Sequence, residues 1–144
     1  MTISRKLVGL IEHNADALAK RWLELVKKHP ATVSYHTYDE VELYQRAFSV
    51  YSQLGKWLSD STGKEEVQKI YTAMGAQRRK EGFELSEVMQ ALIITRRVLW
   101  AKIEGDGLLD NALDLNLALQ LNNRTILFFD RAMLYAAQGY EAGK

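Results

Sequence analysis

Apolar side chains return every three or four positions along almost the whole chain, the spacing that places them on one side of an α-helix. From about Ser4 to Lys28 the row is Leu7, Leu10, Ile11, Leu18, Trp22, Leu25 and Val26. Lys27, Lys28 and His29 suit the negative end of such a helix, and Pro30, the only proline, disfavours helical geometry at the residue before it. A linker with Ala31, Val33, Tyr35 and His36 leads to Thr37, which stands at capping-box spacing from Glu40, so a second helix is expected there. Val41, Tyr44, Phe48, Tyr51 and Leu58 line one face of it, and Leu43, Ala47, Val50, Leu54 and Trp57 widen that face. A helix apolar over so much of its girth is expected at the centre of the fold.

Ser61-Thr62-Gly63 ends this element, and Thr62 with Glu65 offers a capping box for a third helix running to about Lys80 on the row Val67, Ile70, Tyr71 and Met74. Gly82 then interrupts. Leu85, Val88, Met89, Leu92, Ile93, Leu99, Trp100 and Ile103 define a fourth helix, with Arg96 inside its apolar stripe, and Glu104-Gly105-Asp106-Gly107 makes the next turn. After that turn Leu113, Leu115, Leu117, Leu119 and Leu121 alternate as a half-buried strand would. Helix is still the reading: Asp114, Asn116, Ala118 and Gln120 between them are not β-branched, and a lone strand would have no ladder partner. Ile126, Phe129, Met133 and Ala137 continue the helical row to about Gln138, with Asn122-Asn123 as the place for a kink. The expectation is an all-α fold, an antiparallel bundle of five or six helices in one domain over residues 1–144, an arrangement that admits globin-like packing.

Composition narrows the function classes. Nineteen basic residues against eighteen acidic ones leave a net charge of +1, which favours neither nucleic acid nor an anionic membrane as partner. The absence of cysteine removes disulfides, thiolate nucleophiles and Cys-ligated metal together, and it fits the cytoplasm. The longest uninterrupted apolar run, Ala132 to Ala137, is far short of a membrane span.

Candidate chemistry is sparse. His13, His29 and His36 are the only imidazoles, and none has a partner at metal-ligand spacing. His36, in an aromatic linker that could fold over a helical pocket, is the haem-ligand candidate. The carboxylate groups Asp39-Glu40-Glu42, Glu65-Glu66 and Glu84-Glu87 cluster at helix N-termini, where the helix dipole already accounts for them. Arg78-Arg79-Lys80 reads as capping of the last carbonyls or as an interaction surface. A guanidinium in an apolar stripe must snorkel or meet a carboxylate, and Asp130 on the last helix is the expected partner of Arg96; a ligand-binding role is the alternative. If the aromatic helix borders a cavity, Tyr44, Phe48 and Tyr51 with Arg96 and Trp100 are its candidate lining. Catalytic residues, metal and cofactor are all expected to be absent, and a haem or small-molecule binding sensor is the second reading.

Three blocks carry a resemblance that spans about residues 10–140. They are Arg78-Arg79-Lys80-Glu81-Gly82-Phe83-Glu84-Leu85-Ser86-Glu87-Val88, then Ala91-Leu92 with Arg96-Arg97-Val98-Leu99-Trp100, and Phe128-Phe129-Asp130-Arg131-Ala132 ahead of Gly139-Tyr140. In these the chain resembles the N-terminal domain family of the RsbT co-antagonist RsbRD proteins. The resemblance implies a non-enzymatic sensory or regulatory domain of bacterial stress signalling that forms a homodimer and works with a STAS-domain protein or a kinase. No STAS or kinase segment follows before Lys144, so the output is expected in another chain, or the domain acts alone.

Overall fold

The computed structural model describes residues 5–58, 62–105 and 112–143. Among them are seven α-helices: α1 (Arg5–His13), α2 (Ala15–Val26), α3 (Glu40–Ser52), α4 (Leu54–Leu58), α5 (Lys64–Lys80), α6 (Leu85–Gly105) and α7 (Ala112–Ala142). A single 3-10 turn, Val33–Tyr35, interrupts the linker between α2 and α3. Ser4, Ser61 and the Asp106-Gly107 part of the expected turn lie outside the described residues. Within the described residues no helix is long and apolar enough to cross a membrane.

The helix number exceeds five or six because two expected helices are interrupted. At Asn14 the backbone leaves helical geometry (φ −105°, ψ 17°), and the side-chain amide donates to the Leu10 carbonyl at 2.8 Å, competing for the acceptor a continuous helix would use. At Gln53 (φ −115°, ψ 23°) the second break turns α4 toward α1. There the Gly55 N–H donates to Glu12 Oε2 at 3.0 Å, and a Cβ on Gly55 would stand only 3.2 Å from Val8 Cγ1.

Neither expected capping box forms. The α3 helix begins at Glu40 behind Asp39, whose carboxylate accepts from the Val41 N–H at 3.3 Å. The α5 helix begins behind Gly63 without a side-chain cap, and Thr62 Oγ1 donates instead to the Lys56 carbonyl.

The central helix is α6, not α3. Along α6, Val88, Ala91, Leu92, Ile94, Thr95, Val98, Leu99 and Ile103 are buried, and the helix touches α1, α2, α5 and α7. By contrast α3 buries only Leu43, Ala47 and Tyr51, mostly against α2, and leaves Val41 63% and Phe48 38% exposed. The alternating leucines do lie on a helix: Ala118 and Leu121 face the core while Leu115 and Leu119 face outward, and α7 runs without a break past Asn122-Asn123.

The closest helix pairing joins α5 and α7, which run in the same sense with α6 carrying the chain back between them. Tyr71 meets Phe128 edge-on at 5.7 Å, Gly75 lies against Ala136 and Tyr140, and Arg79 reaches the Tyr140 carbonyl at 3.2 Å. Glycine is required at this crossing by space. A Cβ on Gly75 would fall 2.7 Å from the Ala136 carbonyl carbon and 2.9 Å from Tyr140 N, and one on Gly139 would fall 2.9 Å from Thr72 Cα. Backbone packs directly on backbone.

Candidate functional site

The segment after α5 builds the site. Gly82, at φ +90°, takes the left-handed conformation that ends the helix: its N–H donates to the Arg79 carbonyl and the Phe83 N–H to the Arg78 carbonyl, both at 3.1 Å. This is the Schellman arrangement, in which the residue after the glycine is turned back onto the helix. Phe83 is thereby driven into the core, stacked on Tyr35 at 4.4 Å and tilted against Tyr38 at 5.0 Å. Trp22 meets Tyr35 edge-on at 6.2 Å and donates its indole N–H to the Ala91 carbonyl at 3.1 Å, tying α2 to α6.

Two further bonds fix the linker over this aromatic group. Thr32, fully buried, donates to the Val26 carbonyl at 2.8 Å. Glu87 accepts the Ser34 N–H at 2.9 Å and the Glu84 N–H at 3.2 Å, so one buried carboxylate caps α6 and holds the 3-10 turn. Burial opposes the charge on Glu87, but the Ser34 hydroxyl and the N–H groups of Ser34 and Glu84 outweigh it and its pKa lies below the ordinary value.

Glu81, the C-cap of α5, meets two arginines. Arg46 on α3 grips it in a fork, Nη1 to Oε1 at 3.0 Å and Nη2 to Oε2 at 2.5 Å, and its guanidinium lies 5.2 Å from the centre of the Tyr38 ring. Arg78 donates to the same Oε1 at 3.2 Å. Burial lowers the pKa of Arg78, and the neighbouring charge of Arg46 lowers it further. Glu81 is held below the usual carboxylate range, because the hydrogen bonds from Arg46 and Tyr38 overcome the opposing effect of burial.

Beside this cluster lies a cavity of about 400 Å³ between α2, α3, α5 and α6. Its walls are largely apolar, including Trp22, Tyr35, Leu43, Ala47, Val50, Trp57, Tyr71, Met74, Val88 and Leu92, and Arg46 and Arg78 stand on them too. That volume and lining suit a small organic ligand. Among the described residues, no three His, Asp or Glu side chains are grouped to hold a metal ion.

None of the five residues expected to line a pocket stands on the walls of this cavity. Tyr44 and Phe48 stack on each other at 5.9 Å on the outer side of α3, where the Tyr44 hydroxyl donates to Asp16. Tyr51 is fully buried and donates to the Thr95 carbonyl at 2.8 Å, making it a core residue. Arg96 and Trp100 are half-buried on α6, away from the cavity walls. No ion pair joins Arg96 to Asp130 among the described residues, because Asp130 faces solvent. His36 is not on the cavity wall, and its Nε2 is hydrogen-bonded to the His29 carbonyl at 2.9 Å. Arg78 and Arg79 also depart from simple helix capping: the first turns inward to Glu81, and the second lies over the Tyr140 ring at 5.1 Å.

The residues that sequence reasoning passed over are Arg46 and Glu81. Arg46 sits between Leu43 and Ala47, next to a buried row, which is the same signal that drew attention to Arg96. Glu81 gave no signal of its own, since only the packing of the helices brings the end of α5 to Arg46 on α3.

No curated protein and no solved structure matches the chain. The family model described as the RsbT co-antagonist protein rsbRD N-terminal domain matches residues 16–144, which takes in the linker, the arginine cluster and all four helices around the cavity. The chain therefore belongs to the RsbT co-antagonist protein rsbRD N-terminal domain family, a family of stress-response regulatory domains.

Proposed function

We propose that this domain is a non-enzymatic signal sensor whose input is a small molecule held in the cavity between α2, α3, α5 and α6. The cavity carries the reading: it is apolar, of ligand size, and bounded by α3 on one side and α5 on the other. An occupant that fits one spacing of these helices better than another shifts the population toward it, and only that difference in affinity drives the change.

The output side follows from the α5–α7 crossing. Tyr71, Met74 and Arg78 of α5 reach the cavity, while Gly75 on the same helix is locked backbone to backbone onto α7. A displacement of α5 carries α7 with it. Leu115, Leu119, Ile126, Leu127 and Leu134 lie exposed on one side of α7, an apolar row of the kind that covers a protein partner. In this reading the row mediates homodimer formation, and a STAS-domain protein or a kinase of the stress pathway receives the signal in the cytoplasm.

The uncharged fluorescent probe N-phenyl-1-naphthylamine tests the input. Its emission should rise saturably with one site per chain, and Ala47→Phe, which fills the cavity from α3, should abolish the rise while leaving the far-UV circular dichroism intact. No rise in the wild type, or an equal rise in the filled variant, refutes the reading.

A further inference from the structure

Several polar groups on the cavity wall are donors with no protein acceptor among the described residues. Arg78 has five N–H donors and spends one, at 3.2 Å, on a carboxylate oxygen that Arg46 already occupies at 3.0 Å. Its side chain is 14% exposed, and its other N–H groups meet no protein acceptor among the described residues. Trp57, on the same wall, has a buried indole N–H with no acceptor. The Tyr35 and Tyr71 phenols, also on the wall, are kept protonated by burial, which pushes both pKa values up. Buried donors without acceptors cost free energy that a matching ligand recovers.

Charge points the same way. Two guanidiniums share Glu81, so Arg78 holds only part of one carboxylate beside an apolar wall. Glu42 reaches only Arg46, at 3.3 Å, from a side chain 48% exposed to screening water. Glu87 is committed to the Ser34 and Glu84 N–H groups. A bidentate guanidinium contact suits a carboxylate, and the apolar walls suit a hydrocarbon body.

Resting on the proposed role of this cavity as the input site, we infer that its ligand is a small amphipathic carboxylate, the anionic group paired with Arg78 and the apolar body lying between Leu43, Val50, Met74 and Leu92. A cationic ligand would meet Arg46 and Arg78 head on. A neutral one would leave Arg78 with only its share of Glu81 and its spare donors as they are.

Isothermal titration of the full chain with octanoate, 1-octanol and octylamine separates these cases. Octanoate should bind about tenfold or more tightly than 1-octanol, the scale of one hydrogen-bonded charge pair, and octylamine should bind weakest. Arg78→Met, which keeps an unbranched side chain on the wall, should reduce octanoate binding to the level of 1-octanol without changing the alcohol's affinity. Equal binding of octanoate and 1-octanol to the wild type overturns the inference and leaves the sensor reading standing, and that comparison needs no variant to fold. An equal loss for both ligands in Arg78→Met also overturns it. If neither compound binds and the naphthylamine probe also fails, the sensor reading falls with it.

Discussion

Replacing Gly75 by alanine tests whether the α5–α7 crossing depends on backbone contact. The new methyl would stand 2.7 Å from the Ala136 carbonyl carbon and 2.9 Å from Tyr140 N, closer than any ordinary contact. Both obstacles are backbone atoms of a helix, so no side chain can rotate away and the helices must part. Overpacking of this kind costs typically about 1–3 kcal/mol. Because the obstacle is rigid, the upper end applies, and the gain of about 1 kcal/mol from replacing glycine by alanine inside a helix leaves a net loss of about 2 kcal/mol. Gly9 supplies the control. It lies within α1, and a Cβ there would meet nothing within 4 Å, so the helix gain of about 1 kcal/mol stands alone. At about 2–4 °C per kcal/mol for a chain of this size, Gly75→Ala should melt about 6 °C below the wild type and Gly9→Ala about 3 °C above it. Thermal and urea unfolding followed by far-UV circular dichroism measure both. Shifts of the same sign in the two variants, or no loss in Gly75→Ala, would refute the reasoning.

Two further outcomes are expected. Glu87→Gln should destabilise the fold by about 1–2 kcal/mol at neutral pH, since an amide is a weaker acceptor for the Ser34 and Glu84 N–H groups than the charged carboxylate. The folded pKa of Glu87 lies below its ordinary value of 4.5, so the carboxylate's contribution is complete above that value and is lost as pH falls through the lowered one. The urea midpoints of the two proteins should converge in acid, and a gap that stays constant with pH would contradict the assignment. For the apolar row of α7, native mass spectrometry should show a dimer for the wild type and a monomer for the double variant Ile126→Lys and Leu134→Lys; a monomeric wild type or a dimeric variant would remove the row from the interface.

The helical rows were legible because three- and four-residue periodicity is a local property, and Val67, Tyr71, Val88, Leu92, Leu99 and Ile103 are buried where that spacing places them. The aromatic helix misled because periodicity says which residues share a face without saying how many faces a neighbour covers. Phe48 and Val41 look as apolar as Leu43, yet α3 packs mostly against α2 and its outer side stays exposed. Arg96 misled for a related reason. A charge in an apolar stripe announces an accommodation, but its position on a helix edge relative to neighbours is a property of packing, and half-exposure on α6 met the need without Asp130.

The amino-acid order alone determined that the chain is helical, where most helices lie, which family its Arg78 to Val88 block resembles, and that it holds no cysteine and no histidines at metal-ligand spacing. Each of these depends on residues close together along the chain or on composition. Only the folded arrangement decided which charges meet and where space is left. Arg46 and Glu81 are thirty-five positions apart, and they join because the packing of the helices brings the end of α5 to Arg46 on α3. The cavity is empty volume shared by four helices, set by their spacing, and no single segment encodes it.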